Sequence, residues 1–323
     1  MDKALQDTLT LISGGLAEFE TAFAREISGH SGLIGAMASH VLASPGKRIR
    51  PAMYLLSSYV YDPDRKIRID AAVAIELIHT ATLLHDDVND GADQRRGRPS
   101  ANRIWGNLAA VLMGDHLFAK AFRVMVDSGD QRVLRTISAA SERVAIGELL
   151  QLQETGNIAV TEADYMRIIG DKTASLFSAA CEAGALSHGN SQWGERFRSF
   201  GEYVGIGFQI ADDLLDYYGD TAQTGKPKGN DLKAGKVTLP LIHALRGAPE
   251  SDRRHVEEVL AGESDNGIGD VVDFVRERGG FDYARAKADN FRNLALEQIA
   301  DLGQSVYKQA LVDVVNHSVA RQS

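Results

Sequence analysis

An all-α fold is predicted, on three observations. Apolar residues recur at helical spacing in almost every long segment. Sustained alternation of β-branched residues, the mark of strands, is nearly absent. Breakers gather at a few junctions, at Ser44-Pro-Gly, Ser187-His-Gly-Asn, Gly247-Ala-Pro-Glu and Gly262-Glu-Ser-Asp-Asn-Gly. Between them, Asp70 to Asp87 sets Val73, Leu77, Ile78 and Leu84 at turn-like intervals among good helix formers. Leu108 to Val126, Val133 to Leu152, Ala174 to Leu186, Arg196 to Tyr217 and Asp282 to Val319 read as helices on the same grounds. The least regular stretch is Gly219 to Lys236, rich in Gly, Lys, Asp and Thr. Helices of one character flank it without a shift in composition, so it reads as a mobile active-site loop inside one domain spanning 1–323.

The 323 residues suffice for a sizeable core, and 44% hydrophobic content argues against disorder. A net charge of −9 speaks against a nucleic-acid partner, because a phosphate backbone calls for a basic surface. The single cysteine, Cys181, excludes an intrachain disulfide and suits a reducing cytoplasm. Its apolar surroundings read as those of a small buried hydrophobe, not of a nucleophile. The first residues lack a basic segment followed by an apolar one, so no leader peptide is expected. The apolar run Leu108 to Met113 stops at Asp115, far short of a membrane span, and a soluble protein is expected.

Chemistry is concentrated in two stretches, Leu83-Leu-His-Asp-Asp-Val-Asn-Asp and Phe208-Gln-Ile-Ala-Asp-Asp-Leu-Leu-Asp. Each contains Asp-Asp-x-x-Asp, at Asp86, Asp87, Asp90 and at Asp212, Asp213, Asp216. On a helix the first and last carboxylates share a face, where they repel. A hard divalent cation offsets that repulsion. Oxygen donors without His or Cys favour Mg²⁺ or Mn²⁺, and Mg²⁺ is commonly held by a few carboxylates plus substrate phosphates. One acidic triplet alone is usually a solvated helix face. Two copies, each at the polar end of an apolar helix, point instead to a site. His79 precedes Asp86 by seven residues and Asp90 by eleven, close to two and three whole turns, so it shares their face.

Basic clusters accompany the acids. Lys47, Arg48 and Arg50 follow a Pro-Gly turn, Arg95 and Arg96 follow the first acidic motif, Lys172 and Thr173 open the helix of Cys181, and Lys226, Lys228, Lys233 and Lys236 crowd the irregular stretch. Cations at loop-to-helix junctions suit phosphate or diphosphate. Acids for metal together with bases for phosphate point to diphosphate chemistry.

Gly46-Lys-Arg-Ile-Arg-Pro, Glu76-Leu-Ile-His-Thr-Ala-Thr-Leu-Leu-His-Asp-Asp, Arg95-Arg-Gly, Gly170-Asp-Lys-Thr-Ala, Phe208-Gln-Ile-Ala-Asp-Asp and Gly235-Lys-Val-Thr-Leu-Pro-Leu resemble the trans-isoprenyl diphosphate synthase family, closest to its bacterial octaprenyl branch. The likeness runs in order from about Ser44 to Leu245. It implies a single-domain isoprenoid-synthase-type helical bundle around a central active-site cavity, a cytoplasmic homodimer and Mg²⁺ as cofactor. It implies head-to-tail condensation of isopentenyl diphosphate onto an allylic diphosphate, and peripheral membrane contact for product release. Carried over residue by residue, Asp86, Asp90, Asp212 and Asp216 would hold the metal, and Asp87, Asp213, Lys172 and Lys226 would join them in catalysis. Arg95, Lys172, Thr173, Gln209, Lys226 and Lys236 would grip the allylic diphosphate. Lys47, Arg50, His79 and Arg96 match positions that bind isopentenyl diphosphate. Asn89, Gly91 and Pro45 depart from the family's habit without removing a ligand.

Ala81 and Thr82, five and four residues before Asp86, are small where short-chain relatives tend to carry an aromatic. A growing chain could pass them, with Phe122 or Met125 as candidates for a floor. The expected product is long, of the C35 to C50 class; the resemblance favours C40, a length that by family analogy suits a quinone side chain. The competing readings are a short-chain farnesyl or geranylgeranyl synthase and a non-catalytic regulatory subunit, although such subunits usually lose acidic ligands. A terpene cyclase has no use for Lys47, Arg50 and His79.

Overall fold

A computed structural model describes residues 3–44, 46–63, 67–187, 191–218, 229–262 and 267–319. Among the described residues the regular structure is all-helical apart from one minimal hairpin. Contacts divide the chain into two compact units. The first comprises Met1–Ser141, Leu176–Gly201 and Asp301–Val314; the second comprises Glu142–Ser175, Glu202–Ala300 and Val315–Ser323.

The first unit opens with the helices α1 (Lys3–Leu11), α2 (Ser13–Ile27), α3 (Gly32–Leu42), α4 (Ile49–Tyr59) and α5 (Asp70–Asn89). The hairpin strands β1 (Gln94–Arg95) and β2 (Arg98–Pro99), then α6 (Ala101–Trp105) and α7 (Asn107–Ser128), follow. Every residue from Ala71 to Ile78 on α5 is buried, as expected of a helix that is apolar all round. Its most extensive partner is α7, and α4 and α2 also pack on it. Phe19 and Phe23 of α2, Tyr54, Leu55 and Leu56 of α4, and Ile75 of α5 are among the largest fully buried side chains. Burial of each apolar side chain of this size contributes roughly 1.5–3 kcal/mol.

The remaining helices are α8 (Gln131–Glu154), α9 (Glu162–Ile169), α10 (Ser175–Leu186), α11 (Ser191–Tyr218), α12 (Asn230–Lys233), α13 (Leu239–Leu245), α14 (Glu250–Leu260), α15 (Gly267–Glu277), α16 (Gly280–Gln298) and α17 (Val306–Val319). In the second unit, Ile210, Leu214 and Tyr217 of α11 pack with Leu239 and Leu241 of α13, Val271 and Val275 of α15, and Ala284 and Ala288 of α16. A capping box starts α9: Thr161 accepts from the Asp164 backbone N–H, while the Asp164 carboxylate accepts from that of Thr161. Between α9 and α10 lies one π-helical turn, Gly170–Ala174.

The long helices lie where the spacing puts them; most run a few residues further at one or both ends, while α10 keeps its expected end and starts one residue later, after the π turn. One expectation is corrected. Asp282 to Val319 is two helices, because the chain breaks around Gly303 and Ser305 restarts it, its hydroxyl accepting from the Lys308 backbone N–H (3.1 Å). The hairpin at 94–99 was not foreseen either. Of the irregular stretch, 219–228 lies outside the described residues, and its described end folds into the short α12. Cys181 is buried, and that burial pushes its thiol up to about 12, as a small core hydrophobe requires. No helix among the described residues is long and apolar enough to cross a membrane.

Candidate active site

Both acidic motifs occupy the C-terminal turns of their helices, α5 and α11. That placement opposes the helix dipole, whose negative end favours cations. Within the first motif the three acids part company. Asp86 is half-buried and Asp90, the C-cap, is exposed, its backbone N–H donating to the Asp86 carbonyl (2.8 Å). Asp87 is buried at 2% exposure, where Arg95 Nε donates to its Oδ1 (2.6 Å). Burial raises the Asp87 carboxyl, with Arg95 opposing.

The hairpin after α5 explains the arginines. Its two-residue loop, Arg96-Gly97, has positive φ at both positions (53° and 74°). A non-glycine residue there costs about 1–2 kcal/mol, and such strain tends to sit at functional sites. The turn folds the Arg96 guanidinium over Gly46, where a Cβ would lie 2.7 Å from Nη2, and Nη1 donates to the Ser44 carbonyl (2.7 Å). Arg50, on α4, lies across the Phe177 ring at 4.5 Å from its centroid. Its Nε is buried without a hydrogen-bond partner, and burial pulls the guanidinium down to about 10. His79 is held well below its ordinary value, first by burial and then by Arg50, Arg96, Arg95 and Arg48. Cations that disfavour a charged imidazole are the kind of group that would favour a bound anion. Lys47, exposed, borders it in sequence.

In the second unit, α8 runs against the π turn. Gly147 has no side chain where a Cβ would lie 2.4 Å from the Lys172 backbone nitrogen. Lys172 Nζ pairs with Glu148 (2.8 Å). Arg143 ties the turn down, donating to Asp171 (2.7 Å), to the Gly170 carbonyl (3.0 Å) and to both Glu202 oxygens (2.6 and 2.9 Å). π turns recur at functional sites because they re-aim side chains. Here Thr173 donates to Gln209 Oε1 (2.8 Å), Gln209 Nε2 to Asp213 Oδ1 (2.7 Å), and Tyr165 to Asp213 Oδ2 (2.6 Å). Asp213 is buried, and burial followed by nearby Asp231 holds its carboxyl well above the usual range. Asp212 is exposed, and Asp216 is half-buried, accepting the Asp231 backbone N–H on Oδ2 (2.9 Å). Lys236 comes within 4.0 Å of Asp231. Lys226 lies outside the described residues.

The two motifs thus repeat one division of labour: the second Asp is pinned inside, while the first and last lie nearer solvent. Among the described residues, no three Asp, Glu, His or Cys side chains converge into a ready-made metal cage. A pair of outward carboxylates that shares an ion with phosphate oxygens suits Mg²⁺. Ala81 is fully buried, and the Thr82 hydroxyl turns back to the His79 carbonyl (2.8 Å). Of the two candidates for a floor, Met125 is buried and Phe122 is 41% exposed, so they occupy different faces of α7.

The polyprenyl synthetase family profile matches residues 31–277. The chain belongs to the polyprenyl synthetase family. It is 37% identical over 317 residues to the all-trans-nonaprenyl-diphosphate synthase (geranyl-diphosphate specific) of Rhodobacter capsulatus, covering 98% of each chain. It is 35% identical over 313 residues to octaprenyl diphosphate synthase of Escherichia coli, covering 96% of this chain and 97% of that one. Polyprenyl synthase from Caulobacter crescentus, solved in complex with calcium and isoprenyl diphosphate, superposes with a TM-score of 0.93 at 34% identity, over 99% of this chain and 98% of that one. The chain is therefore a prenyltransferase of the polyprenyl synthetase family, a family that uses a divalent metal.

Sequence reasoning passed over Arg48, Glu76, Asp231, Arg143 and Tyr165. Arg48 was visible as part of a basic cluster. Glu76 opened one of the quoted motifs without being assigned a role, and Asp231, Arg143 and Tyr165 carry no motif, because their side chains meet their partners only after folding.

Proposed function

We propose that the chain is a long-chain all-trans polyprenyl diphosphate synthase with a product of about C40, working as one domain. The observation that carries this reading is the pocket that Arg48, Arg95 and Arg96 line together with Glu76, Thr80 and Asp87 of α5, the helix that also bears His79 and ends in the first acidic motif. One helix then serves two diphosphates, the allylic one at Asp86 and Asp90 and the isopentenyl one at His79. A terpene cyclase has one diphosphate to hold.

Asp86, Asp90, Asp212 and Asp216 would hold Mg²⁺ on the allylic diphosphate, where it neutralises charge that builds as the C–O bond breaks. Arg95, Lys172, Thr173, Gln209 and Lys236 would bind the phosphate oxygens, and Lys226 joins them on resemblance alone. Asp87 then orients Arg95, Asp213 orients Gln209, and Glu148 aims Lys172. Lys47, Arg50, His79 and Arg96 hold isopentenyl diphosphate so that its double bond attacks the allylic carbon. The bonding pair leaves with diphosphate, and the adduct returns to neutrality by losing a proton to that released diphosphate.

The length of about C40 is supported by likeness to octaprenyl and nonaprenyl enzymes and by the small Ala81. With Mg²⁺, isopentenyl diphosphate and farnesyl diphosphate, chromatography and mass spectrometry should find a main product of about C40. A farnesyl or geranylgeranyl end product would overturn the long-chain reading, and inert purified protein would favour a regulatory subunit. Ala81→Phe should shorten the product by several isoprene units, because the ring fills a buried position on α5. An unchanged product would remove Ala81 from the tunnel.

A homodimer is also proposed. Leu108, Leu112, Phe122 and Val126 form an exposed apolar stripe along α7, at 75%, 57%, 41% and 63% exposure. Leu112→Lys should convert a dimer to a monomer in light scattering. A wild-type monomer at micromolar concentration would end this reading.

A further inference from the structure

Arg48 is surrounded by residues proposed to touch substrate, yet its own guanidinium is engaged elsewhere. Its Nε and Nη2 donate to the two oxygens of Glu20 (2.7 and 3.1 Å), and its Nη1 donates to Glu76 (2.7 Å). Its plane lies 4.8 Å from the Phe23 centroid and 5.6 Å from that of Phe19. The paired Glu20 contacts are the fork-to-carboxylate arrangement that fixes an arginine most firmly. Its backbone is left-handed, with φ 52° and ψ 34°, at the residue that caps α4. Arg48 and Arg96 are the two described non-glycine residues with positive φ. Glu20, Phe19 and Phe23 belong to α2, which precedes the segment 31–277 matched by the family profile.

We infer that Glu20 and Arg48 form a positioning clamp for the isopentenyl diphosphate pocket, contributed in part by a helix outside the family segment. Glu20 holds Arg48 in the left-handed conformation that starts α4, and this sets Lys47 on one side and Arg50 on the other. Arg48 also neutralises Glu76. Glu76 is felt electrostatically by Arg50 and Arg96. Without the clamp, Glu76 would draw those two arginines to itself and away from phosphate. Arg48 and Glu20 are therefore positioning residues, acting through Lys47, Arg50 and Arg96. The clamp rests on the reading of that pocket as the isopentenyl site.

Steady-state kinetics on the full chain with Mg²⁺ tests both levels. Glu20→Gln and Arg48→Lys should each raise KM for isopentenyl diphosphate about tenfold, with KM for the allylic substrate within about twofold. Arg48→Gly accepts the left-handed backbone but lacks the side chain, so it should show the same split and thereby separate clamp from strain. Glu20 is 44% exposed, so Glu20→Gln should shift the melting temperature little and keeps the test open if an Arg48 variant fails to fold. Lys47→Ala is the control for the pocket itself. If Lys47→Ala raises KM for isopentenyl diphosphate while Glu20→Gln and Arg48→Lys leave it within twofold, the clamp is overturned and the pocket stands. If Lys47→Ala leaves it unchanged, the pocket reading fails and takes the clamp with it. Equal rises in both KM values, together with lost thermal stability, would reduce the clamp to ordinary scaffold and overturn it as well.

Discussion

Asp86→Asn should lower kcat/KM for condensation by about 10²–10³-fold or more, the scale of losing one preorganised electrostatic partner of the transition state. The same change should leave the metal-free protein at least as stable as wild type. Asp86 sits in the last turn of α5 with Asp90 four residues on, so two negative charges face the negative end of the helix dipole. Removing one charge relieves about 0.3–1 kcal/mol of repulsion. Asp87→Asn should behave in the opposite manner. Asp87 is 2% exposed and holds Arg95 at 2.6 Å. Its charged hydrogen bond contributes about 1.5–3 kcal/mol, and the asparagine variant should lose most of that in urea unfolding. Kinetics at saturating Mg²⁺, paired with thermal melts in a chelator, separates the roles. A several-degree fall for metal-free Asp86→Asn would mark Asp86 as structural. Activity within threefold of wild type would remove it from the metal site.

Gly147→Ala should reduce kcat/KM toward the allylic substrate by about 10²-fold, because a displacement near 1 Å of a positioning group commonly has that effect. The added Cβ would lie 2.4 Å from the backbone nitrogen of Lys172. No flexible side-chain end can move aside there, so α8 and the π turn must separate. Arg143 grips the turn at Asp171 and Gly170, and Glu148 grips Lys172, so the strain falls on the Lys172–Thr173 presentation. KM for isopentenyl diphosphate should stay within about twofold, because its proposed ligands are other residues. The measurement is a pair of substrate titrations on each protein. Unaltered allylic kinetics would show that the turn tolerates the displacement and that its conformation does not set Lys172.

Much of the site was legible before folding because its chemistry is written in short spacings. The face expected for His79, Asp86 and Asp90 follows from 3.6 residues per turn; α5 carries the first two, and Asp90 caps its C-terminus. The long helices were readable for the same reason. Short helices such as α1, α3 and α6 were not singled out, since helices of that length owe their stability to packing and show little independent signal. The hairpin at 94–99 was hidden because Arg96 takes a left-handed turn position that sequence rules assign to Asn or Gly. The division of Asp282 to Val319 was missed because one Gly and one Ser weigh little in a helical window.

Residue types and intervals alone determined the helical class, the motifs by which the family is recognised, and the two acidic triplets and basic clusters from which metal and diphosphate binding are proposed. What the tertiary structure decided is which member of each group is buried and paired. It buries Asp87 and Asp213 and leaves Asp86, Asp90, Asp212 and Asp216 nearer solvent, although the two triplets have the same spacing. It turns Arg48 toward Glu20 and Glu76 while its neighbour Arg50 keeps a buried, unpartnered Nε. The physical reason is that a local period fixes which way a side chain leaves its helix. Only long-range packing fixes what it meets, and with it the desolvation and pairing that separate a ligand from a brace.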